Sequence, residues 1–508
     1  MFAALCPTAA DQVAESKQAV FRRYLGCREA QAGQSVRSQI GILGQIKIRA
    51  SPVLRLNTFA FGLLIGSMLS CSREPKLESR EQPKPSASPA VTSSELAQTT
   101  VAERPEKAEP LNVLLLTVDC LRADMPWTGY SRPIAPNLTQ YADEGVVYTR
   151  LYSVASYTAQ SVASWLTGRF ASTLYRTGVF FTSYTKANTF FPEVLADDGV
   201  KSIGWFSHMY FGRGKGIDRG FAAFELVPGI TFDPQTDNYV TSDKMYDLGV
   251  KLLSNAENTK GQFFAWAHFG DPHDQYNKHK ESPDFGNKNR DRYDSEVWYT
   301  DFYIGKLVEW AKTQPWWSHT VVMISADHGE AFGEHGQYRH AFELWEPLVR
   351  VPLIVMGKGI KPQRIDALRS QIDFGPTIVE FLGKPRLPTF QGQSLVAEIT
   401  GREKAESRPH IELELTEDTN NPERRAIIAG DFKLYVRGYD ESFSLYNIKD
   451  DPGEEHNLAV SDPERLRSMK ELYKDAFGKI PSIKPFGGMK LASGKTADGM
   501  TGPLKSKP

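Results

Sequence analysis

The chain has 508 residues, of which 24% are charged and 41% hydrophobic, with a formal net charge of −1. This is a globular composition, long enough for a large domain with a smaller one attached. A balance this close to neutral, with no basic run interleaved with aromatics, gives no electrostatic case for nucleic acid, and none is expected as a partner. Of the cysteines Cys6, Cys27, Cys71 and Cys120, only Cys120 lies in the region that reads as folded, so no disulfide can form within it.

The N-terminal part reads as targeting rather than structure. In "VLRLNTFAFGLLIGSMLSCS" a basic residue precedes an apolar run from Phe59 to Leu69, then Ser70 and Cys71. The run is too short to anchor across a bilayer and has the pattern of an export signal. A cysteine directly after it resembles a bacterial lipoprotein signal. Residues 53–71 are therefore expected to direct export, with Cys71 carrying a lipid that holds the protein to a membrane in the periplasm or at the cell surface. Residues 1–52 are then an extension or follow from a misassigned start. Residues 72–110 are rich in Pro, Ser, Glu and Lys and poor in large apolar side chains, which predicts a disordered tether.

From Leu111 the pattern changes. "LNVLLLTVD" is a continuous apolar run ending in Asp119, suited to a strand buried on both faces of a parallel sheet. "PNLTQYADEG" has helical spacing with a terminal glycine. "FFPEVLADDG", "VKSIGWFS", "GQFFAWAHFGDPH", "TVVMISADHGEAFGEHG" and "VRVPLIVMGKG" continue the alternation of helix-like and strand-like segments. Residues 111–390 are thus expected to form an α/β domain, a mostly parallel central sheet flanked by helices. Residues 391–480 carry short strands with turns at Gly430–Asp431 and Gly438–Tyr439, then the helix-like "PERLRSMKELYKDAF", and predict a small α+β subdomain with an antiparallel sheet. Residues 481–508 show no periodicity and read as a disordered tail.

Ligands of such sheets gather beyond the carboxyl ends of the strands. Asp119 ends one apolar run, Asp271 and His273 follow another, and Asp327 and His328 end a third, so they are candidates for one crevice. Seven of the ten histidines lie between His268 and His340. Carboxylate with imidazole suits Zn²⁺ or Mn²⁺, whereas carboxylate with water suits Ca²⁺ or Mg²⁺. Asp327 and His328 can give two ligands to one ion, which Asp119 completes. Such an ion would lower the pKa of a bound hydroxyl and make it a nucleophile. "SYTAQSVASWLTGR", Ser156 to Arg169, offers five serine and threonine hydroxyls.

The stretch "NVLLLTVDCLRADMPWTGYSRPIAPNLTQYADEG" resembles the opening of the sulfatase family, within the alkaline phosphatase superfamily. "YTAQSVASWLTGR", "DPHDQY", "SADHGEAFGEHG", the histidine before "LWE" with "VRVPLIV", and "LYNIKDDPGEEHNLA" have counterparts there in the same order, over about Leu111 to Leu458. The resemblance implies an alkaline phosphatase/sulfatase-like fold. The sulfatase pattern runs Cys or Ser, any residue, Pro, Ser, Arg, then four residues before Thr-Gly-Arg. Aligned on Thr167–Gly168–Arg169, it places Thr158 at the nucleophile, Gln160 at the proline, Ser161 at the serine and Val162 at the arginine. Threonine cannot become formylglycine, so none is expected. Metal-activated threonine is what phosphodiesterases, phosphatases and phosphotransferases of the superfamily use.

Carried over by position, Asp119, Asp327 and His328 are metal ligands, with Thr158 as nucleophile and fourth ligand. Asp271, His273 and His340 match positions that bind a second metal or the charged oxygens of substrate, His273 and His340 also being catalytic candidates. Cys120 stands where many members have a second aspartate, which leaves Ca²⁺, Zn²⁺ and Mn²⁺ open. Ser207, His208 and Met209 replace the family's Lys-Trp-His element, with His208 as a partial substitute for a substrate-binding cation. His335 reads as structural. The expected activity is metal-dependent hydrolysis of small-molecule, glycan or lipid esters of sulfate or phosphate, by in-line attack of Thr158 on sulfur or phosphorus. Phosphodiesterase, phosphonate monoester hydrolase or phosphotransferase chemistry is the alternative. A catalytically inactive envelope glycan-binding protein is the rival from another class. The oligomeric state is left open.

Overall fold

The computed structural model describes residues 110–230, 240–439 and 442–487. The expected extension (1–52), lipoprotein-type signal (53–71) and the tether up to residue 109 lie outside the described residues.

The strands in chain order are β1 (Asn112–Val118), β2 (Val146–Tyr152), β3 (Lys201–Phe206), β4 (Phe221–Leu226), β5 (Phe263–Phe269) and β6 (Thr320–Ala326), followed by the short ribbon β7 (Ala331–Phe332) and β8 (Tyr338–Arg339). Then come β9 (Arg350–Gly357), β10 (Gln363–Ile365) and β11 (Arg369–Ser370). The large sheet has the order β10-β2-β9-β6-β1-β5-β3-β4, with β11 also on β2. Every residue of β1, β5 and β6 is buried, as continuous apolar runs at the centre of a parallel sheet require. The helices flanking it include α1 (Pro136–Glu144), α2 (Thr158–Thr167), α3 (Phe191–Asp197), α4 (Ser242–Ser254), α5 (Asn289–Lys312) and α6 (Phe374–Phe381). The expected mostly parallel sheet is what forms, with one local difference: β9 runs antiparallel to both β6 and β2. An all-apolar run carries no signal for strand direction, so only the chain's connections decide it.

Register positions the site. Val118 of β1 pairs with Phe269 of β5 on one side and Ala326 of β6 on the other. The next residues, Asp119, Gly270 and Asp327, therefore leave the sheet side by side at its carboxyl edge. Around the sheet, helices are fastened by buried acids. Asp301 of α5 accepts the backbone N–H groups of Asn137 (3.0 Å) and Leu138 (2.7 Å), the otherwise unsatisfied first-turn donors of α1. Burial pushes the Asp301 carboxyl up to about 6, although those hydrogen bonds pull it down.

The C-terminal part forms the second, antiparallel sheet expected for it, β12 (Ile411–Leu415), β13 (Arg424–Ala429), β14 (Phe432–Arg437) and β15 (Ser442–Asn447) in that order. Gly430, at φ +57°, makes the β13–β14 turn in the left-handed region that glycine enters without steric cost. Helix α7 (Pro463–Gly478) packs Met469, Tyr473 and Phe477 onto Ile427, Leu434, Val436 and Leu445. The sheet is joined to the large domain by hydrogen bonds. Glu414 N–H donates to Val154 O (2.8 Å), and Gln160 of α2 exchanges two bonds with the backbone of Thr416 (3.1 and 2.9 Å). Lys433 of β14 is fully buried, its Nζ 2.8 Å from Glu454 Oε1 and 3.2 Å from Glu346 Oε1. Residues 481–487, grouped with the tail in the sequence, instead lie along residues 172–178: Ile483 N–H donates to Ser172 O (2.8 Å) and Phe486 N–H to Arg176 O (3.0 Å). Residues 488–508 lie outside the described residues.

Candidate active site

Helix α2 begins at Thr158, directly above the strand ends. Tyr157 is its N-cap and provides no side-chain cap bond. The Thr158 hydroxyl is thus not consumed in capping, the role its position would otherwise suggest. Its Oγ1 lies 3.1 Å from His328 Nε2. The other hydroxyls of the stretch are placed elsewhere. Ser161 Oγ donates to Ala155 O (2.8 Å) and Thr167 Oγ1 to Ala163 O (2.7 Å), while Ser156 and Ser164 are buried without a hydrogen-bond partner.

Asp119, Asp327 and His328 are all fully buried and bring one ligand atom each to within 4.8 Å of one another. His328 Nε2 is 3.3 Å from Asp327 Oδ2 and 3.6 Å from Asp119 Oδ1. The opposite ring nitrogen, Nδ1, lies 3.0 Å from Gly329 O. That carbonyl can only accept, so it places the proton on Nδ1 and leaves the Nε2 lone pair facing the carboxylates, the usual arrangement of a metal-binding imidazole. The turn after His328 needs glycine: a Cβ on Gly329 would come within 2.0 Å of Pro347 O.

His340 and His273 line the outer side. Their ring centroids are 4.8 Å apart, and His340 is 4.5 Å from His328. His208 lies beyond, its ring 5.3 Å from His273, with Nδ1 accepting from Tyr210 N–H at 3.4 Å. Asp271 is used differently. Its Oδ1 accepts from Thr241 N–H (2.7 Å) and Thr241 Oγ1 (2.6 Å), and its Oδ2 accepts from Ser242 N–H (2.9 Å). Both oxygens thus fasten the start of α4, and Asp271 is not among the close-packed donor groups. His335 stacks on Trp345 at 3.7 Å between ring centroids.

Two residues were not anticipated. His268, inside β5, sets Nε2 3.2 Å from Asp119 Oδ2 and Nδ1 2.8 Å from Thr117 Oγ1, and so orients the carboxylate. Glu330, fully buried, accepts from Tyr276 OH (2.9 Å) and lies 3.2 Å from His340 Nδ1. His268 sat in an apolar strand, where a histidine reads as core. Glu330 sat in "DHGEAF", where its proximity to the imidazoles was the only available signal.

The electrostatics follow from this crowding. Burial alone would raise the Asp119 carboxyl, but the fields of His273, His268 and His328 hold it well below the usual carboxylate range. Glu330 is lowered in the same way, against burial, chiefly by His340. Burial lowers His340, against the pull of Glu330. Burial raises the Cys120 thiol, with Glu330, Asp119 and Asp327 adding to the effect. Asp271 is raised by burial, against its bonds to Thr241 and Ser242.

These residues fit a divalent cation. Asp327 Oδ2 is buried with no hydrogen-bond partner, an expense that a coordinated ion removes. Two carboxylates and an oriented imidazole converge beside a hydroxyl, with one face open to His273 and His340.

The fold and the strand-end cluster define the class of alkaline phosphatase-like ester hydrolases. Within it, the chain belongs to the sulfatase family: the Sulfatase family model matches residues 111–384. A second model, described as N-sulphoglucosamine sulphohydrolase, C-terminal, matches residues 333–477. The chain is 25% identical over 401 residues to a Delta 4,5-hexuronate-2-O-sulfatase of Bacteroides thetaiotaomicron, covering 66% of this chain and 81% of that protein. It is 29% identical over 187 residues to arylsulfatase K of Gallus gallus, a match spanning only 34% of each protein. The solved structure of a 2-O GAG sulfatase superposes with a TM-score of 0.61 at 20% identity, over 73% of this chain and 92% of that one.

Proposed function

We propose that the chain is a metal-dependent hydrolase of sulfate or phosphate esters that uses Thr158 as its nucleophile. The observation that carries this reading is the placement of Thr158 Oγ1, 3.1 Å from His328 Nε2 and free of any capping bond, beside Asp119 and Asp327. A bound divalent cation would supply Lewis-acid stabilisation of the negative charge on the ester group. Asp119, Asp327 and His328 are the residues that would hold it, and His268 keeps Asp119 oriented from behind.

The chain's own part of the reaction is as follows. Thr158 Oγ1 gives up its proton to solvent and bonds to sulfur or phosphorus as the bond to the ester oxygen breaks in line. His273 or His340 gives the departing alcohol oxygen its proton. Water then hydrolyses the threonine ester, releasing sulfate or phosphate and restoring the hydroxyl. The N-terminus of α2 points its dipole at the anionic group and favours it. No formylglycine takes part, because position 158 is threonine and the fully buried Val162 occupies the place of the family's supporting arginine.

The relatives named as a hexuronate 2-O-sulfatase and a 2-O GAG sulfatase support an acidic glycan ester as substrate. Residues 53–71 support export with a lipid on Cys71. The test is turnover of aryl sulfate, phosphate monoester, phosphodiester and phosphonate ester by wild type, Thr158→Ala and Thr158→Ser, each with Ca²⁺, Zn²⁺ or Mn²⁺. Thr158→Ala should lose at least roughly 10³-fold in kcat with an unchanged melting temperature, and Thr158→Ser should keep part of the rate. Full activity in Thr158→Ala would move the nucleophile elsewhere.

A further inference from the structure

A cavity of about 490 Å³ lies apart from the strand ends, bounded by residues 172–178 following α2, residues 414–425 of the C-terminal sheet and residues 482–487. None of Asp119, Thr158, His273, Asp327, His328 and His340 lines it. Its size suits a small organic ligand. The walls are polar, and they include charged side chains taken almost wholly out of water: Arg176 is 4% exposed and Glu414 1%.

How these charges are partnered decides what the cavity can take, because buried ions are normally paired. Asp418 is already satisfied. Its Oδ1 accepts from Asn420 N–H and Asn421 N–H (2.8 Å each), and its Oδ2 accepts from Asn421 Nδ2 (2.9 Å). Glu414 Oε1 accepts from Ser172 N–H (2.6 Å), but among the described residues its Oε2 makes no hydrogen bond. Arg176 directs Nη1 to the backbone oxygens of Ser172 (3.4 Å), Leu174 (3.3 Å) and Ile483 (3.0 Å). Its Nε and Nη2 make no hydrogen bond, and among the described residues no carboxylate lies within ion-pair distance of it or of Lys484 at the exposed rim. Burial raises the Glu414 and Asp418 carboxyls, with the field of Arg176 among the influences that oppose it, so the guanidinium and the two acids share one space. Tyr439, 68% exposed, borders the same space with its hydroxyl on Glu417.

A ligand for these walls must both accept and donate. A carboxylate fits the unused edge of the Arg176 guanidinium, whose planar fork matches it. Hydroxyl groups fit the unused oxygen of Glu414, which when ionised can only accept. The acids in the same walls repel a densely charged polyanion. We propose that the cavity binds a sugar acid, with its carboxylate on Arg176 and Lys484, a ring hydroxyl on Glu414 and the ring beside Tyr439. The site is separate from the strand-end cluster and does not depend on the ester-hydrolase reading. A free uronic acid and a uronic acid unit within a glycan chain offer the same chemistry.

The probe is D-glucuronate, titrated calorimetrically into the full chain. It should bind at one site per chain. Acetate and methyl glucoside, each carrying half of the chemistry, should bind at least about tenfold more weakly. Lys484→Gln, at an exposed position, and Glu414→Gln, which keeps the side chain's shape, should each weaken glucuronate binding by roughly three- to tenfold with unchanged melting temperatures. Arg176→Gln should abolish binding. None of the three should alter turnover of a small aryl ester. A glucuronate tetramer separates the sources. Tighter binding than the monomer, with inhibition of aryl ester turnover, assigns the site to a glycan chain that also reaches the strand ends; equal binding without inhibition assigns it to a free sugar acid. Absence of glucuronate binding, or tighter binding of glycine, would overturn the proposal. So would binding that survives in Arg176→Gln and Lys484→Gln but is lost in His340→Ala, since the carboxylate would then sit at the strand ends. Full turnover in Thr158→Ala with glucuronate binding intact would remove the proposed nucleophile and leave this site standing.

Discussion

Two clusters of buried acids stabilise this molecule, and they are balanced in opposite ways. Where the C-terminal sheet meets the large domain, Glu346 and Glu454 share the ammonium of Lys433, which the chain itself supplies. At the ends of β1 and β6, Asp119 and Asp327 are equally buried, yet among the described residues no lysine or arginine lies within salt-bridge distance of either. Their neighbours are imidazoles and a thiol. A protein that can bury a lysine to neutralise carboxylates in one place leaves them with ligand-type neighbours in another. The first cluster carries a cation of its own, whereas the second is lined by side chains of the kinds that ligate one.

Removing the internal cation is the harshest test of this contrast. Lys433→Met should destabilise the fold by about 3–5 kcal/mol in denaturant melts, because two carboxylates lose their buried partner. Adding Glu346→Gln and Glu454→Gln should recover most of that loss. A melt unchanged by Lys433→Met would mean that the ammonium does not support the two carboxylates as described.

The external cation should behave reciprocally. Calorimetry of chelated protein, repeated with added Zn²⁺ or Mn²⁺, should show stabilisation of about 2.7 kcal/mol at a hundredfold excess over Kd. Asp327→Asn should abolish most of this shift, and the Lys433 variants should keep it. Equal melting with and without metal in wild type would remove the contrast.

Asp301 sharpens the comparison as a buried acid with neither ammonium nor ligand set, held by N–H donors alone. Its carboxyl is raised to about 6 by burial, so the folded state keeps a proton that the unfolded chain loses near pH 4. That contribution is full below about pH 4 and is lost as pH rises through about 6, a decline of roughly 2–3 kcal/mol between the two. Asp301→Asn should flatten stability over this window. An equally steep profile in the variant would assign the titration to another group.

Much of this arrangement was legible in the sequence because it follows from strand ends. Continuous apolar runs stopping at Asp119 and at Asp327–His328 marked buried parallel strands, and the site lies where such strands end. The run that became β9 was equally clear as a strand, but its direction depends on chain connection and not on residue type. Asp271 looked like a ligand by the same strand-end logic. Its oxygens instead satisfy Thr241 and Ser242, at a helix start that no periodic pattern announced. His268 escaped notice for the opposite reason, since one polar residue within an apolar strand looks like an ordinary interior side chain. Thr158 was distinguishable from its neighbouring hydroxyls only through family register. Propensity alone makes it a cap, and its contact with His328 reaches across 170 residues.

The turn that carries His340 gives the site an uneven mechanical character. Arg339, Ala341 and Phe342 all have positive φ, at +68°, +65° and +61°. For residues with a Cβ this costs on the order of 1–2 kcal/mol each. The turn is held against that tendency by Ala341 N–H on Ser156 O (2.8 Å), Phe342 N–H on the Asn421 carboxamide oxygen (3.1 Å) and Arg339 on Asp274 (2.5 Å). The carboxylates sit on a floor that moves only if the central sheet moves, while the imidazole above them sits on a loaded spring. Local opening should therefore begin on the histidine side, on a faster timescale than any breathing of the strands. The latch lies partly in the C-terminal region, at Asn421, so a residue remote in sequence from Thr158 helps to hold the turn that carries His340.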